Sequence, residues 1–279
     1  MGPGSRRPRI LLFDSGAGGI TVARSLRACL PEAHYFYAAD TAAFPYGAWD
    51  EPVLIERIVA VIGRLIPVAR PDLVVIACNT ASTLALARLR HEFETPFVGT
   101  VPAIKPAAEQ TKTRIIGVLA TPGTVKREYT QALIHTYAFH CRVFLHGAPR
   151  LAEIAEARLR GASPDLDAIR EEIRPVFRRR DGRRTDTVVL GCTHYPLLIE
   201  ELQAVAPWPV AFIDPAPAIA RRAAAMVSAI PLDGAEDGLA PAGTVFFTSP
   251  RSLSSDQVAL YAAEGFELPA LVEVPDWRK

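Results

Sequence analysis

Short runs of consecutive apolar residues alternate along the chain with stretches in which apolar positions recur every three or four residues. The runs Arg9–Phe13, Tyr35–Ala39, Leu73–Ala77, Phe97–Thr100, Ile115–Ala120, Cys141–Leu145, Thr187–Gly191 and Val210–Ile213 predict strands. Most are apolar without alternation, the pattern of parallel strands covered on both faces. Helical periodicity covers Gly19–Cys29, Val53–Val68, Thr83–Phe93, Thr124–His135 and Asp165–Phe177. Strands and helices in alternation, joined by right-handed crossovers, predict an α/β doubly wound fold.

Two distant segments repeat one pattern. VVIACNTAS (74–82) and VVLGCTHYP (188–196) each run from an apolar stretch through a small residue to a cysteine and then to hydroxyl-bearing residues. This repetition predicts two similar flavodoxin-like parallel-sheet domains that face each other. The Pro-rich segments GTVPAIKPAAEQTKT (99–113) and APWPVAFIDPAPA (206–218) interrupt the helical pattern and mark the crossings between them. Residues 1–102 with 209–279 are expected to form a discontinuous first domain, and 103–208 an inserted second. LDGAEDGLAPAG (232–243) reads as a loop, and TVFFTS (244–249) as a late strand.

Composition narrows the class. Hydrophobic residues make up 49% and charged ones 22% of 279 residues, and no apolar run approaches the roughly 18 residues that cross a membrane. Thirty-one Lys and Arg against 30 Asp and Glu leave a formal charge of +1, so no global field draws nucleic acid or an anionic membrane. RRRDGRR (178–184) is the local exception; it reads as a solvated loop or helix end before a strand, with an anion-binding patch as the alternative. The N-terminus has no apolar signal core, and Gly2–Ser5 reads as a cloning remnant, so a cytoplasmic location is expected. In that reducing setting four cysteines are no disulfide framework, and without CxxC, HExxH or a Cys/His cluster no metal site is expected.

In an open α/β sheet, ligands bind where strands turn into helices. FDSGAGG (13–19), ACNTAS (77–82), LATPGT (119–124) and GCTHYP (191–196) are such turns, and their amides suit a carboxylate. The glycines of DSGAGG do not fit G-x-G-x-x-G, and there is no Walker lysine, which argues against nucleotide binding. None of the lysines, at 105, 112, 126 and 279, sits in one of these turns to hold pyridoxal phosphate, and no G-x-S-x-G marks a hydrolase. Cys29 and Cys141 fall within a helix and a strand and read as small hydrophobes. Cys78 and Cys192 each end a strand just before a helix, whose free amides favour a thiolate. From these residues alone, buried packing and catalysis both stay open for the pair. Two like acid/base groups suit inversion at carbon, which needs a base on one face and an acid on the other. Ser15, Asn79, Thr80 and Thr193 offer donors for the carbanion beside a carboxylate.

DSGAGG, PYG (45–47), CNTAS, GVLATPGT (117–124) and GCTHYP, in that order between Ile10 and about Ile219, resemble the bacterial glutamate racemases of the cofactor-independent aspartate/glutamate racemase superfamily. The resemblance implies an active site between two α/β domains, no metal or coenzyme, and interconversion of L- and D-glutamate that supplies D-glutamate for peptidoglycan. It implies that Cys78, assisted by Asp14, acts on the Cα proton of D-glutamate, and that Cys192, assisted by His194, acts on that of L-glutamate. Ser15, Tyr46, Gly47, Asn79, Thr80, Thr121, Thr124 and Thr193 would hold the substrate, together with Asp14 and His194. A homodimer is the expected assembly. The segment APRLAEIAE (148–156) departs from the family pattern, and Glu156, a match for its glutamate, is left outside the core site. Two other functions compete: a sister racemase or isomerase for another acidic compound such as aspartate, and a non-catalytic amino-acid sensor on the same fold.

Overall fold

A computed structural model describes residues 6–232, 243–249 and 254–274; of the loop expected at 232–243, residues 233–242 lie outside them. The chain runs through β1 (Arg9–Asp14), α1 (Ile20–Cys29), β2 (His34–Ala39), α2 (Glu51–Ala69), β3 (Leu73–Ile76), α3 (Asn79–Glu92) and β4 (Phe97–Gly99). Next come α4 (Ile104–Gln110), β5 (Ile115–Ala120), α5 (Pro122–Val125), α6 (Glu128–Tyr137), β6 (Arg142–Gly147), α7 (Leu151–Leu159) and α8 (Leu166–Ile173). The short strands β7 (Arg179–Arg180) and β8 (Arg183–Arg184) precede β9 (Thr187–Gly191), α9 (Ile199–Val205) and β10 (Ala211–Ile213). The last elements are α10 (Ala216–Val227), β11 (Gly243–Phe247), α11 (Ser255–Ala263) and β12 (Phe266–Leu271).

Contacts divide the chain into two compact units, one made of the residues up to Gly99 and from Ala216 onward, the other of Thr100–Pro215. The first unit holds a six-stranded sheet in the order β12-β11-β2-β1-β3-β4, and the second a four-stranded sheet in the order β10-β9-β5-β6. Every pairing in both sheets is parallel. The α/β doubly wound expectation therefore holds in each unit. β2 and β5 are buried at every position, as strands covered on both faces must be. α2 buries Leu54, Ile58, Val61, Ile62 and Leu65, one face at helical spacing, against Leu11, Phe13, Val74 and Ile76 of the sheet. Asp50 caps its first turn by accepting from the Val53 amide.

Several element ends differ from the periodicity. α3 starts at Asn79, directly after Cys78, instead of Thr83: Asn and Thr are weak helix formers, but here they begin the helix where β3 releases the chain. The single helix expected over 124–135 breaks into α5 and α6 at Lys126–Arg127, where the Thr124 carbonyl accepts from the Thr130 hydroxyl at 2.8 Å and from the Arg127 amide at 3.4 Å. α8 gives way to a 3₁₀ turn at Arg174–Val176, where Pro175 supplies no amide. RRRDGRR is a tight antiparallel hairpin. Asp181 and Gly182, at φ 51° and 74°, form the two-residue loop for which Asp-Gly is suited.

A buried ion pair secures the loop after β2. The Asp40 carboxylate, fully buried, accepts from Arg57 Nε and Nη2 at 2.7 and 2.6 Å, from the Tyr46 hydroxyl at 2.7 Å and from the Thr248 hydroxyl at 2.6 Å. The Trp49 ring covers the guanidinium with its centre 5.6 Å away. Arg57→Leu strands the carboxylate in the interior, and it is expected to cost about 3–5 kcal/mol of unfolding free energy. Urea denaturation measures it; a loss below about 1 kcal/mol, the scale of an exposed pair, contradicts this role.

Candidate active site

The carboxyl ends of β1 and β3 bring one group of the expected residues together in the first unit. Asp14 ends β1, is fully buried, and folds its carboxylate back to accept from the Gly16 amide at 3.0 Å. Gly19 has to be glycine: a Cβ there would lie 2.8 Å from the Tyr37 hydroxyl and 3.0 Å from Asp14 Cβ. Cys78 is the N-cap residue of α3, and its thiol donates to the Ser15 hydroxyl at 3.8 Å. Thr80 lies buried in the same first turn. Asn79 beside it is 2% exposed, and neither its amide nitrogen nor its amide oxygen has a hydrogen-bond partner. Buried amides are almost always satisfied, so a pair of orphaned atoms here marks a place for a ligand's polar groups.

Tyr46 and Gly47 sit in a 3₁₀ turn after β2. The Tyr46 side chain is turned inward to Asp40, and burial first, then the Asp40 charge, pushes its hydroxyl pKa well above the ordinary value. What this loop offers a ligand is backbone: Gly47 is exposed, and a Cβ built on it would meet nothing within 4 Å.

In the second unit the carboxyl ends of β5 and β9 carry the rest. Thr121 caps α5, with its hydroxyl 2.9 Å from that of buried Thr124. Gly191 allows β9 to pass Ala120, since a Cβ would come within 2.9 Å of the Ala120 methyl. Cys192 Sγ lies 3.8 Å from His194 Nδ1, and His194 Nε2 lies 2.9 Å from Glu156 Oε1. Thr193, between them, is also buried. The chain after Cys192 enters a 3₁₀ turn at Tyr195–Leu198 and reaches α9 only at Ile199, so Cys192 does not stand at the N-terminus of an α-helix as Cys78 does.

Glu156 completes a buried thiol–imidazole–carboxylate chain with two of the expected residues, although the sequence reading had left it outside their set. Its trace in the sequence is an acid in the buried stripe Leu151, Ala152, Ala155, Glu156 of α7. Its partner 38 positions away has no trace at all. Burial alone would lower the His194 pKa, but the hydrogen bonds and charges of Cys192 and Glu156 outweigh it and raise it well above the ordinary 6.5. Among the described residues, no group of three or more His, Cys, Asp and Glu is placed to hold a metal ion.

The family model for Asp/Glu/Hydantoin racemase matches residues 21–223. The chain belongs to this family. It is accordingly an isomerase. Glutamate racemase of Sinorhizobium medicae is 51% identical over 247 residues, 87% of this chain and 91% of that protein. Glutamate racemase of Brucella anthropi is 54% identical over 224 residues, 80% of each chain. The crystal structure of Escherichia coli glutamate racemase in complex with L-glutamate and the activator UDP-MurNAc-Ala superposes with a TM-score of 0.88 at 42% identity, covering 97% of this chain and all of that one.

The raised His194 pKa predicts how this racemase-family member responds to pH. The folded protein holds the imidazole proton more tightly than the unfolded chain, so the contribution of His194 to stability is complete below about pH 6.5 and is lost as pH rises through the folded value. The melting temperature of His194→Asn should therefore fall furthest below that of the wild type in mildly acidic buffer, with the gap closing at alkaline pH. Scanning calorimetry across pH checks this, and a gap that widens with pH refutes it.

Proposed function

We propose that the protein is a cofactor-independent glutamate racemase in which two cysteines exchange the Cα proton of glutamate. The observation that carries the mechanism is the matched placing of the two thiols. Each is nearly buried at the carboxyl end of a central parallel strand, and each is hydrogen-bonded to a polar partner, Ser15 for Cys78 and His194 for Cys192. The identity of the substrate is supported by the glutamate racemases at 51% and 54% identity and by the L-glutamate in the Escherichia coli structure.

In this mechanism Cys78, as thiolate, removes the Cα proton of D-glutamate while the Cys192 thiol delivers one to the opposite face; with L-glutamate the roles reverse. One turnover leaves the thiols in exchanged protonation states, so the next turnover in the same direction requires their protons to be reset. Asp14 assists Cys78. Glu156 orients and charges His194, which assists Cys192. Asn79, with its unsatisfied amide, and Ser15, Thr80, Thr121, Thr124, Thr193 and the Tyr46–Gly47 backbone hold the carboxylates and ammonium group. Preorganised donors of this kind stabilise charge that develops beside a carboxylate. The same proposal includes a homodimer, a cytoplasmic location and D-glutamate supply for peptidoglycan.

Proton NMR of L-glutamate in D2O with the reduced protein, followed by chiral analysis, tests the reaction. The Cα signal should vanish as D-glutamate forms. Cys78→Ala and Cys192→Ala should each lower the racemisation rate by at least about 100-fold, the lower end of what a positioned acid or base contributes. Either variant keeping wild-type activity overturns the two-thiol mechanism. Aspartate turned over in place of glutamate overturns the substrate.

A further inference from the structure

The β7–β8 hairpin stands at the amino ends of β5 and β6, away from the strand ends that carry Thr121 and Cys192. The six residues of β5 put on the order of 20 Å between the two edges. Both cross-strand pairs of the hairpin are arginine on arginine: Arg179 faces Arg184, and Arg180 faces Arg183. Like charges directly opposite destabilise a ladder, so each pair needs a counterweight. The first pair has one. The guanidinium carbons of Arg179 and Arg184 lie 5.0 and 5.5 Å from the centre of the Trp208 ring, whose face attracts cations. Trp208 is itself fixed, its Nε1 donating to the Thr185 carbonyl at 2.7 Å and its ring meeting Phe177 edge-on.

Side chains alternate across a strand, so Arg180 and Arg183 belong to the opposite face of the hairpin. There, with Arg114, Arg142 and His140, they line a cavity of about 160 Å³. Asp181 is the single carboxylate in its lining, and it pairs with Arg142 at 3.3 Å. Nearby Asp186 is taken up by the Thr111 hydroxyl and by the amides of Lys112 and Thr113. Among the described residues, no carboxylate pairs with Arg114, Arg180 or Arg183. Other arginines of the protein do face carboxylates, as Arg6 faces Asp72, Arg24 faces Glu264 and Arg158 faces Glu201. Arg114 is set at the cavity by a left-handed backbone at φ 61°, a conformation that side-chain-bearing residues adopt at a cost.

We infer that this cavity binds the phosphate or diphosphate group of a small phosphorylated compound, which supplies the counter-charge that no described residue gives Arg180 and Arg183. Guanidinium groups present paired N–H donors that match phosphate oxygens two at a time. The cavity admits a phosphate group or two. A polynucleotide would need a basic track, and the protein as a whole carries a charge of only +1.

Isothermal titration calorimetry with inorganic phosphate, inorganic diphosphate and a nucleoside diphosphate, at low and at physiological salt, tests this site. Inorganic diphosphate should bind one-to-one, weaken with salt, and bind at least about tenfold more weakly to Arg180→Gln/Arg183→Gln and to Arg114→Gln, while the exposed control Arg170→Gln keeps wild-type affinity. A nucleoside diphosphate that binds no tighter than diphosphate assigns recognition to the phosphates alone; one that binds tighter assigns the group to a nucleotide. Without ligand, the double variant should melt no lower than the wild type, because its Arg–Arg repulsion is gone, and its racemase activity should be unchanged. Diphosphate should raise the melting temperature of the wild type only. Binding that never saturates, or that the double variant retains, reduces the cluster to diffuse counter-ion attraction and overturns the site. An oligonucleotide that binds where diphosphate does not overturns it in favour of a nucleic-acid face.

Discussion

Parallel pairing is the constraint from which the rest of this structure follows. A parallel strand can be reached only by a crossover, so each strand of a sheet enters at one edge and leaves at the other. All the leaving ends, with the turns that follow them, are thereby gathered along one edge. In the first unit these are the ends of β1, β2 and β3, which carry Asp14, the Tyr46 loop and Cys78; in the second they are the ends of β5 and β9, which carry Thr121 and Cys192. Residues far apart in sequence become neighbours because the hydrogen-bond ladder leaves them nowhere else to go. Close approach of backbone at these ends needs glycine, and Gly19 and Gly191 supply it where a methyl group would collide.

Two buried polar chains then give the strand-end loops a single arrangement. Asp40 gathers Arg57, Tyr46 and Thr248, and Glu156 holds His194, which in turn meets Cys192. Each chain is costly to build, since its charges leave water, and each is therefore intolerant of losing one partner. That intolerance is useful at a site: a side chain that can be satisfied in only one pose is held in that pose. Asn79 is the contrasting case, because its buried amide is unsatisfied among the described residues.

Charge is handled differently at the two edges of the second sheet. At the carboxyl edge the Cys192–His194–Glu156 chain balances donors and acceptors within the protein. At the amino edge four arginines converge with one carboxylate among them, and Trp208 relieves only the pair on its own face of the hairpin. The near-neutral composition of the whole chain conceals this separation.

The sequence by itself determined most of the sheet strands, though not β12, and the doubly wound class, because a strand buried on both faces must be apolar throughout, and that shows in a single chain: Ile115–Ala120 and Thr187–Gly191 match their predicted bounds. It also marked Cys78 and Cys192 as strand-end residues, since a run of apolar positions stops visibly before each. Helix starts and breaks were less legible: α3 begins at Asn79 directly where β3 ends, with no side-chain cap to announce it, and between α5 and α6 the Thr130 hydroxyl bonds the Thr124 carbonyl, a pairing that apolar periodicity does not show. The hairpin at 179–184 was missed because a charged run hides the Asp-Gly turn signal. Only the tertiary structure decided that the Tyr46 hydroxyl faces Asp40, that Glu156 supports His194, and that Arg180 and Arg183 share a cavity with Arg114 and Arg142. Those partners are set by strand order and register, which join residues without regard to their separation along the chain.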